Sequence, residues 1–128
     1  MSADEIALRL PRAREYHRVA HLILGGLAVR LDLTFEHLED LQLALAGLLA
    51  ESESPGEITV RIRVAEDTIQ AVVGPFAPQA IQGRLDRDES EVSLRRLLDT
   101  VADSVEIDES PEGDWVEVTK HVTRVARA

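Results

Sequence analysis

A chain of 128 residues has the length of one ordinary domain, and its 45% hydrophobic content is enough to bury a core. That core has to be aliphatic, because Tyr16, Phe35, Phe76 and Trp115 are the only aromatics. Fourteen basic against 24 acidic residues leave a net charge of −10 with one lysine, Lys120, which argues against nucleic acid as a partner; the lack of cysteine removes disulfides, thiolate metal sites and a cysteine nucleophile.

Residues 6–10, Ile-Ala-Leu-Arg-Leu, alternate as a half-buried strand does, and Pro11 ends them. A helical pattern follows over 14–31, with Tyr16, Val19, Ile23, Leu27 and Leu31 predicted as its core-facing stripe. Gly25 and Gly26 in its interior each weaken it by about 1 kcal/mol relative to alanine, so the helix bends there or something packs closely against it. Thr34 is the predicted N-cap of a second helix, with Phe35, Leu38, Leu41, Leu45 and Leu48 as its apolar stripe and Glu36, Glu39 and Asp40 near its positive end.

Ser52 to Gly56 reads as a turn. Residues 58–64 and 68–73 then form a predicted hairpin about Glu66-Asp67. Residues 74–90 read as a long irregular stretch, 91–101 as a third helix, 105–107 as a short strand and 115–122 as the last strand. Strands joined by short turns pair antiparallel, and three helices have to cover one face of their sheet. The expectation is an α+β, two-layer sandwich over residues 1–128 as one domain, its mostly antiparallel sheet covered on one face by three helices.

The first two helices with the segment Glu39-Asp40-Leu41-Gln42-Leu43-Ala44-Leu45 resemble those of anti-sigma factor serine kinases, of the histidine-kinase-like ATPase superfamily. So do LLDTVADSVEI at 97–107 and GDWVEVTKHV at 113–122. The resemblance covers nearly the whole chain in the same element order. It implies that fold, a nucleotide site and binding to a sigma factor or an anti-anti-sigma-like protein. It also implies a homodimer or a heterodimer with a homologue.

The nucleotide motifs depart from the pattern. Where the family has its basic glutamate this chain has Gly47, and where it has the metal-binding asparagine this chain has Glu51. The adenine aspartate is missing from the segment around Gly74, and Val92 and Leu94 stand at the lid glycines. Glycine cannot accept a proton, whereas a carboxylate at Glu51 is a ligand that Mg²⁺ takes. These departures set the expectation: a regulatory protein-binding domain, not an enzyme, with a vestigial pocket at Gly47, Glu51, Gly74, Val92 and Leu94, no cofactor and no catalytic residue. The alternative is an active ATP-dependent anti-sigma serine/threonine kinase with atypical motifs, Glu51 carrying the metal.

Four further residue patterns bear on function. His17 and His21 stand four apart but lack a third ligand, so no metal site is expected. The charged run at 86–91 lacks the spacing of a calcium loop, and no serine sits in a nucleophile motif. Arg14, Arg18, His21, Gly25 and Ala28 recur as a stripe, basic at one end and small at the other, and form the predicted partner-binding surface; a basic protein would also be steered by the overall acidity. The acidic start of the chain and the lack of a long apolar run predict a cytoplasmic protein with no membrane contact.

Overall fold

A computed structural model describes residues 4–30, 33–51, 56–65, 67–78, 80–81 and 94–122. Strand β1 (Asp4–Pro11) leads through a short 3₁₀ turn (Arg14–Tyr16) into α1 (His17–Arg30) and α2 (Phe35–Ala50). The hairpin β2 (Glu57–Val64) and β3 (Thr68–Phe76) follows. Helix α3 (Leu94–Val101), β4 (Ser104–Ser110) and β5 (Gly113–His121) complete the order.

The five strands form one antiparallel sheet in the order β1-β2-β3-β5-β4. Its register explains the core. Because side chains alternate faces along a strand, the pairing sets Ile6, Ile62, Ala71, Val118 and Val105 in one row across the sheet. Leu8, Val60, Val73, Val116 and Ile107 make the next row on the same face. Apart from Ile6, which is exposed on the edge strand, these rows lie on the face covered by Ala20, Leu24 and Ala28 of α1, Leu41, Ala44, Leu45, Leu48 and Leu49 of α2, and Leu94, Leu98 and Val101 of α3. The opposite face carries Glu5, Arg61, Arg63, Gln70, Glu117 and Glu106. The architecture is therefore the two-layer α+β sandwich that the sequence predicts.

Two stripes differ from expectation. Tyr16, Val19 and Ile23 do not face the core: they are exposed, and α1 buries Ala20, Leu24 and Ala28 instead. Alanines at 20 and 28 put little side-chain bulk on that buried face, which a search for large aliphatics does not see. In α2, Phe35 is 70% exposed, so the buried stripe begins only at Leu41, with Leu38 packed at its edge. Strand β3 runs three residues further than expected, to Phe76, and the start of the predicted third helix at 91–93 lies outside the described residues, as does most of the predicted irregular stretch.

Candidate functional site

Helix α2 begins where its sequence directs. The Thr34 hydroxyl accepts a hydrogen bond from the His37 N–H at 3.3 Å, closing the first turn. Its far end carries the positions singled out by the resemblance. Gly47 lies on the flank that meets α3, where an added Cβ would stand 2.7 Å from Leu97 Cδ2 and 3.3 Å from Leu94 Cδ1. Leucine methyls thus occupy the space a longer side chain at 47 would need, although the end of Leu97 can swing aside. One turn on, Glu51 is the half-buried C-cap of α2, and its N–H donates to the carbonyls of Leu48 and Leu49.

Leu94 opens α3 as a buried core residue, while Val92 lies outside the described residues. Gly74 belongs to the other side of the molecule. A Cβ there would stand 2.6 Å from Trp115 Cδ2, so its missing side chain is what lets the indole cross β3 on the open face of the sheet. Arg61 covers that indole, its guanidinium carbon 5.4 Å from the ring centroid. The structure therefore brings Gly47, Leu94 and Leu97 together and places Glu51 one turn away on the same helix. It assigns Gly74 a packing role on the opposite face. Its strand neighbour Val73 points into the core and is fully buried.

Lys120 fixes the layer around α2 and α3. Its ammonium lies 3.0 Å from Asp40 Oδ2 of α2 and donates to the Val101 carbonyl at the end of α3, also at 3.0 Å. The sequence marks Lys120 as the sole lysine and as part of the GDWVEVTKHV segment of the resemblance, but its partners depend on tertiary packing. Among the described residues no group of three or more His, Cys, Asp or Glu side chains converges as a metal cluster would. A single carboxylate is still compatible with Mg²⁺, which is held by one or two carboxylates together with substrate phosphates and water.

The predicted partner stripe is only partly a surface. Arg14 and Arg18 are exposed and His21 and Gly25 half-buried, but Ala28 is in the core and cannot meet a partner. His21 lines a shallow groove of about 280 Å³ with Glu39, Gln42, Leu43 and Ala46 of α2. Burial, and secondarily the neighbouring His17, hold its imidazole below the usual histidine range. His17 itself has Nε2 3.2 Å from the Arg12 carbonyl.

The serine-protein kinase RsbW of Bacillus velezensis is 28% identical to this chain over 94% of its length and 88% of the kinase's own. RsbW of Bacillus subtilis is 26% identical over the same shares. The chain is a homologue of these kinases. RsbW of Listeria innocua is 35% identical over a shorter span, 55% of this chain and 49% of the relative. No protein-family model matches the chain.

The RsbW relatives bear out the resemblance read from the sequence, since the match runs along the chain as the shared element order implies. They also overturn one expectation. The motif departures predict a chain that is not an enzyme, yet its relatives are named serine-protein kinases. The physical reason is that motif departures do not by themselves exclude such an activity: loss of a general base slows a transfer by about 10²–10⁴-fold, and a carboxylate at Glu51 is still a ligand that Mg²⁺ takes. Phosphoryl transfer passes through a loose transition state, and its catalysis is almost entirely positioning and electrostatic stabilisation. No helix among the described residues is long and apolar enough to cross a membrane.

Proposed function

We propose that this chain is an ATP-dependent serine-protein kinase of the anti-sigma type with atypical nucleotide motifs. The observation that carries the reading is the similarity to serine-protein kinases over 94% of the chain and 88% of the relative. Its nucleotide would sit at the end of α2 beside the start of α3. Glu51 is the residue that would hold the Mg²⁺ accompanying ATP, and the ion would offset phosphate charge there. Gly47 supplies no base. General-base catalysis contributes about 10²–10⁴-fold, so the transfer is expected to be slow rather than absent. The acceptor is a serine of a protein partner, which the resemblance identifies as a sigma factor or an anti-anti-sigma-like regulator. Arg14, Arg18, His21 and Gly25 offer a surface for it.

Calorimetric titration with Mg-ATP, repeated with Mg-ADP, tests the first requirement. Saturable heat is expected from both nucleotides, and Glu51→Ala is expected to weaken both. Labelled phosphate from γ-labelled ATP is then expected on a serine of an anti-anti-sigma-like protein. No binding heat, together with no label transferred, would remove the kinase reading.

A further inference from the structure

The open face of the sheet carries Arg9, Arg61 and Arg63, and the three are not equivalent. The register sets Glu5 opposite Arg63, Ala7 opposite Arg61 and Arg9 opposite Thr59, all on the side away from the helices. Arg63 is neutralised where it stands, its Nη2 3.2 Å from Glu5 Oε2. Arg9 and Arg61 are not. Among the described residues neither has a carboxylate within ion-pair distance, in a chain of net charge −10 whose Glu57, Glu106 and Glu117 share that face. The two arginines are diagonal neighbours on adjacent strands, a spacing that long side chains bridge. Like charges so placed repel, so the pair is unfavourable by itself and favourable with an anion between its members.

The surroundings are shaped to receive one. The Arg61 guanidinium lies over the Trp115 ring, which holds the planar fork by one face and leaves its N–H edges open. Ala7, directly opposite Arg61, adds no bulk beyond its Cβ, and a depression of about 310 Å³ opens there, lined by Ala7, Leu8, Arg9, Thr59 and Arg61. That is the small end of the range for ligand sites. Thr59 is half-buried, and its hydroxyl is not engaged elsewhere among the described residues. Two guanidinium forks and a hydroxyl offer more donors than the two oxygens of a carboxylate can take. They suit the three terminal oxygens and double charge of a phosphate monoester. We infer that Arg9, Arg61 and Thr59 form a binding site for a phosphate monoester on the open face of the sheet, with Trp115 holding Arg61 in position. The site lies on the face away from α2 and α3, so it is separate from the proposed nucleotide pocket and does not rest on the kinase reading. Two sources carry its chemistry, a phosphorylated side chain and a small free phosphate, and the test separates them.

The full chain is titrated with sodium phosphate, N-acetyl-phosphoserine amide and sodium acetate, without nucleotide or magnesium. The pH is about 7.5, where both phosphates are mostly dianions, and sodium chloride holds the ionic strength constant. Trp115 is the sole tryptophan, so its emission reports movement of Arg61, and calorimetry reads binding independently. Saturable binding of both phosphates is expected, with acetate at least about tenfold weaker. Arg9→Gln, at an exposed position, is expected to weaken phosphate binding at least about tenfold at an unchanged or higher melting temperature. Arg61→Lys keeps the charge, loses the fork and is expected to weaken it as much. Arg63→Gln, whose arginine Glu5 already occupies, is expected to leave it within about twofold. Tighter binding of the phosphoserine amide than of inorganic phosphate assigns the site to a modified side chain, and the reverse order assigns it to a free phosphate. No saturable signal by either method overturns the inference. So does binding that Arg9→Gln and Arg61→Lys leave intact, and so does acetate binding as tightly as phosphate.

Discussion

Lys120 joins β5 to both α2 and α3 through one ammonium group, with Asp40 on one side and the Val101 carbonyl on the other. Its side chain is 12% exposed and that of Asp40 is 37% exposed, so the pair is far better shielded than the surface pair Arg63–Glu5. Lys120→Met removes two charge-assisted hydrogen bonds and is expected to cost about 1.5–3 kcal/mol, read as a lower urea midpoint at unchanged slope. A change below the error of the fit would show that water replaces the lysine at no cost. His21 gives a prediction in pH. Its folded pKa lies below the unfolded value of about 6.5, so between the two the unfolded chain binds more protons. The stability this group contributes is present above about 6.5 and lost as the pH falls toward the folded value. The difference in unfolding free energy between wild type and His21→Gln should therefore shift against wild type below pH about 6.5, and a difference flat in pH refutes the assignment.

At the scale of elements, α2 is where local signal and tertiary packing agree. Thr34→Ala removes the acceptor for the His37 N–H and should cost about 1 kcal/mol, measured by denaturant unfolding. Leu98→Ala in α3 removes a fully buried side chain facing the sheet and should cost about 2–5 kcal/mol; a loss under 1 would mean that the layer collapses around the gap. The strands are the most legible part of the sequence. Residues 58–64 alternate strictly, and the register sets Ile58, Val60, Ile62 and Val64 on the core face. Strand β4 is longer than its pattern suggests. Between Val105 and Ile107 it carries Glu106, and beyond them Asp108 and Glu109, outward or edge residues that weaken the apolar signal. The buried face of α1 escapes a reading by large aliphatics because two of its three core residues are alanines. The contact of Gly47 with Leu97 and that of Gly74 with Trp115 join segments distant in sequence, so no local pattern announces them. Gly74 shows the consequence: its sequence position points to the pocket, and the packed molecule uses it to seat an indole on the far face.

The whole molecule carries a net charge of −10 on 128 residues, and this governs its response to salt. Self-repulsion opposes the compact state, and salt screens it, the Debye length falling to about 10 Å at 0.1 M. The exposed pairs Arg63–Glu5 and Arg95–Asp99 lose strength in the same range, but such pairs are worth at most about 1 kcal/mol each. The melting temperature is therefore expected to rise as sodium chloride goes from low ionic strength to about 0.15 M. A fall would mean that attractive pairs outweigh the repulsion. This response determines how nucleotide binding has to be measured. Magnesium ions alone will raise the melting temperature of so acidic a chain, so Mg-ATP must be compared with magnesium chloride at matched ionic strength. Against that baseline, ATP at 100 times its dissociation constant should add about 2.7 kcal/mol, a shift of several degrees for a domain of this size. The increment should shrink in Glu51→Ala if that carboxylate holds the metal, whereas the response to sodium chloride should stay, since one carboxylate removed leaves the overall charge nearly unchanged. Loss of both together would mean that Glu51 supports the fold rather than the nucleotide.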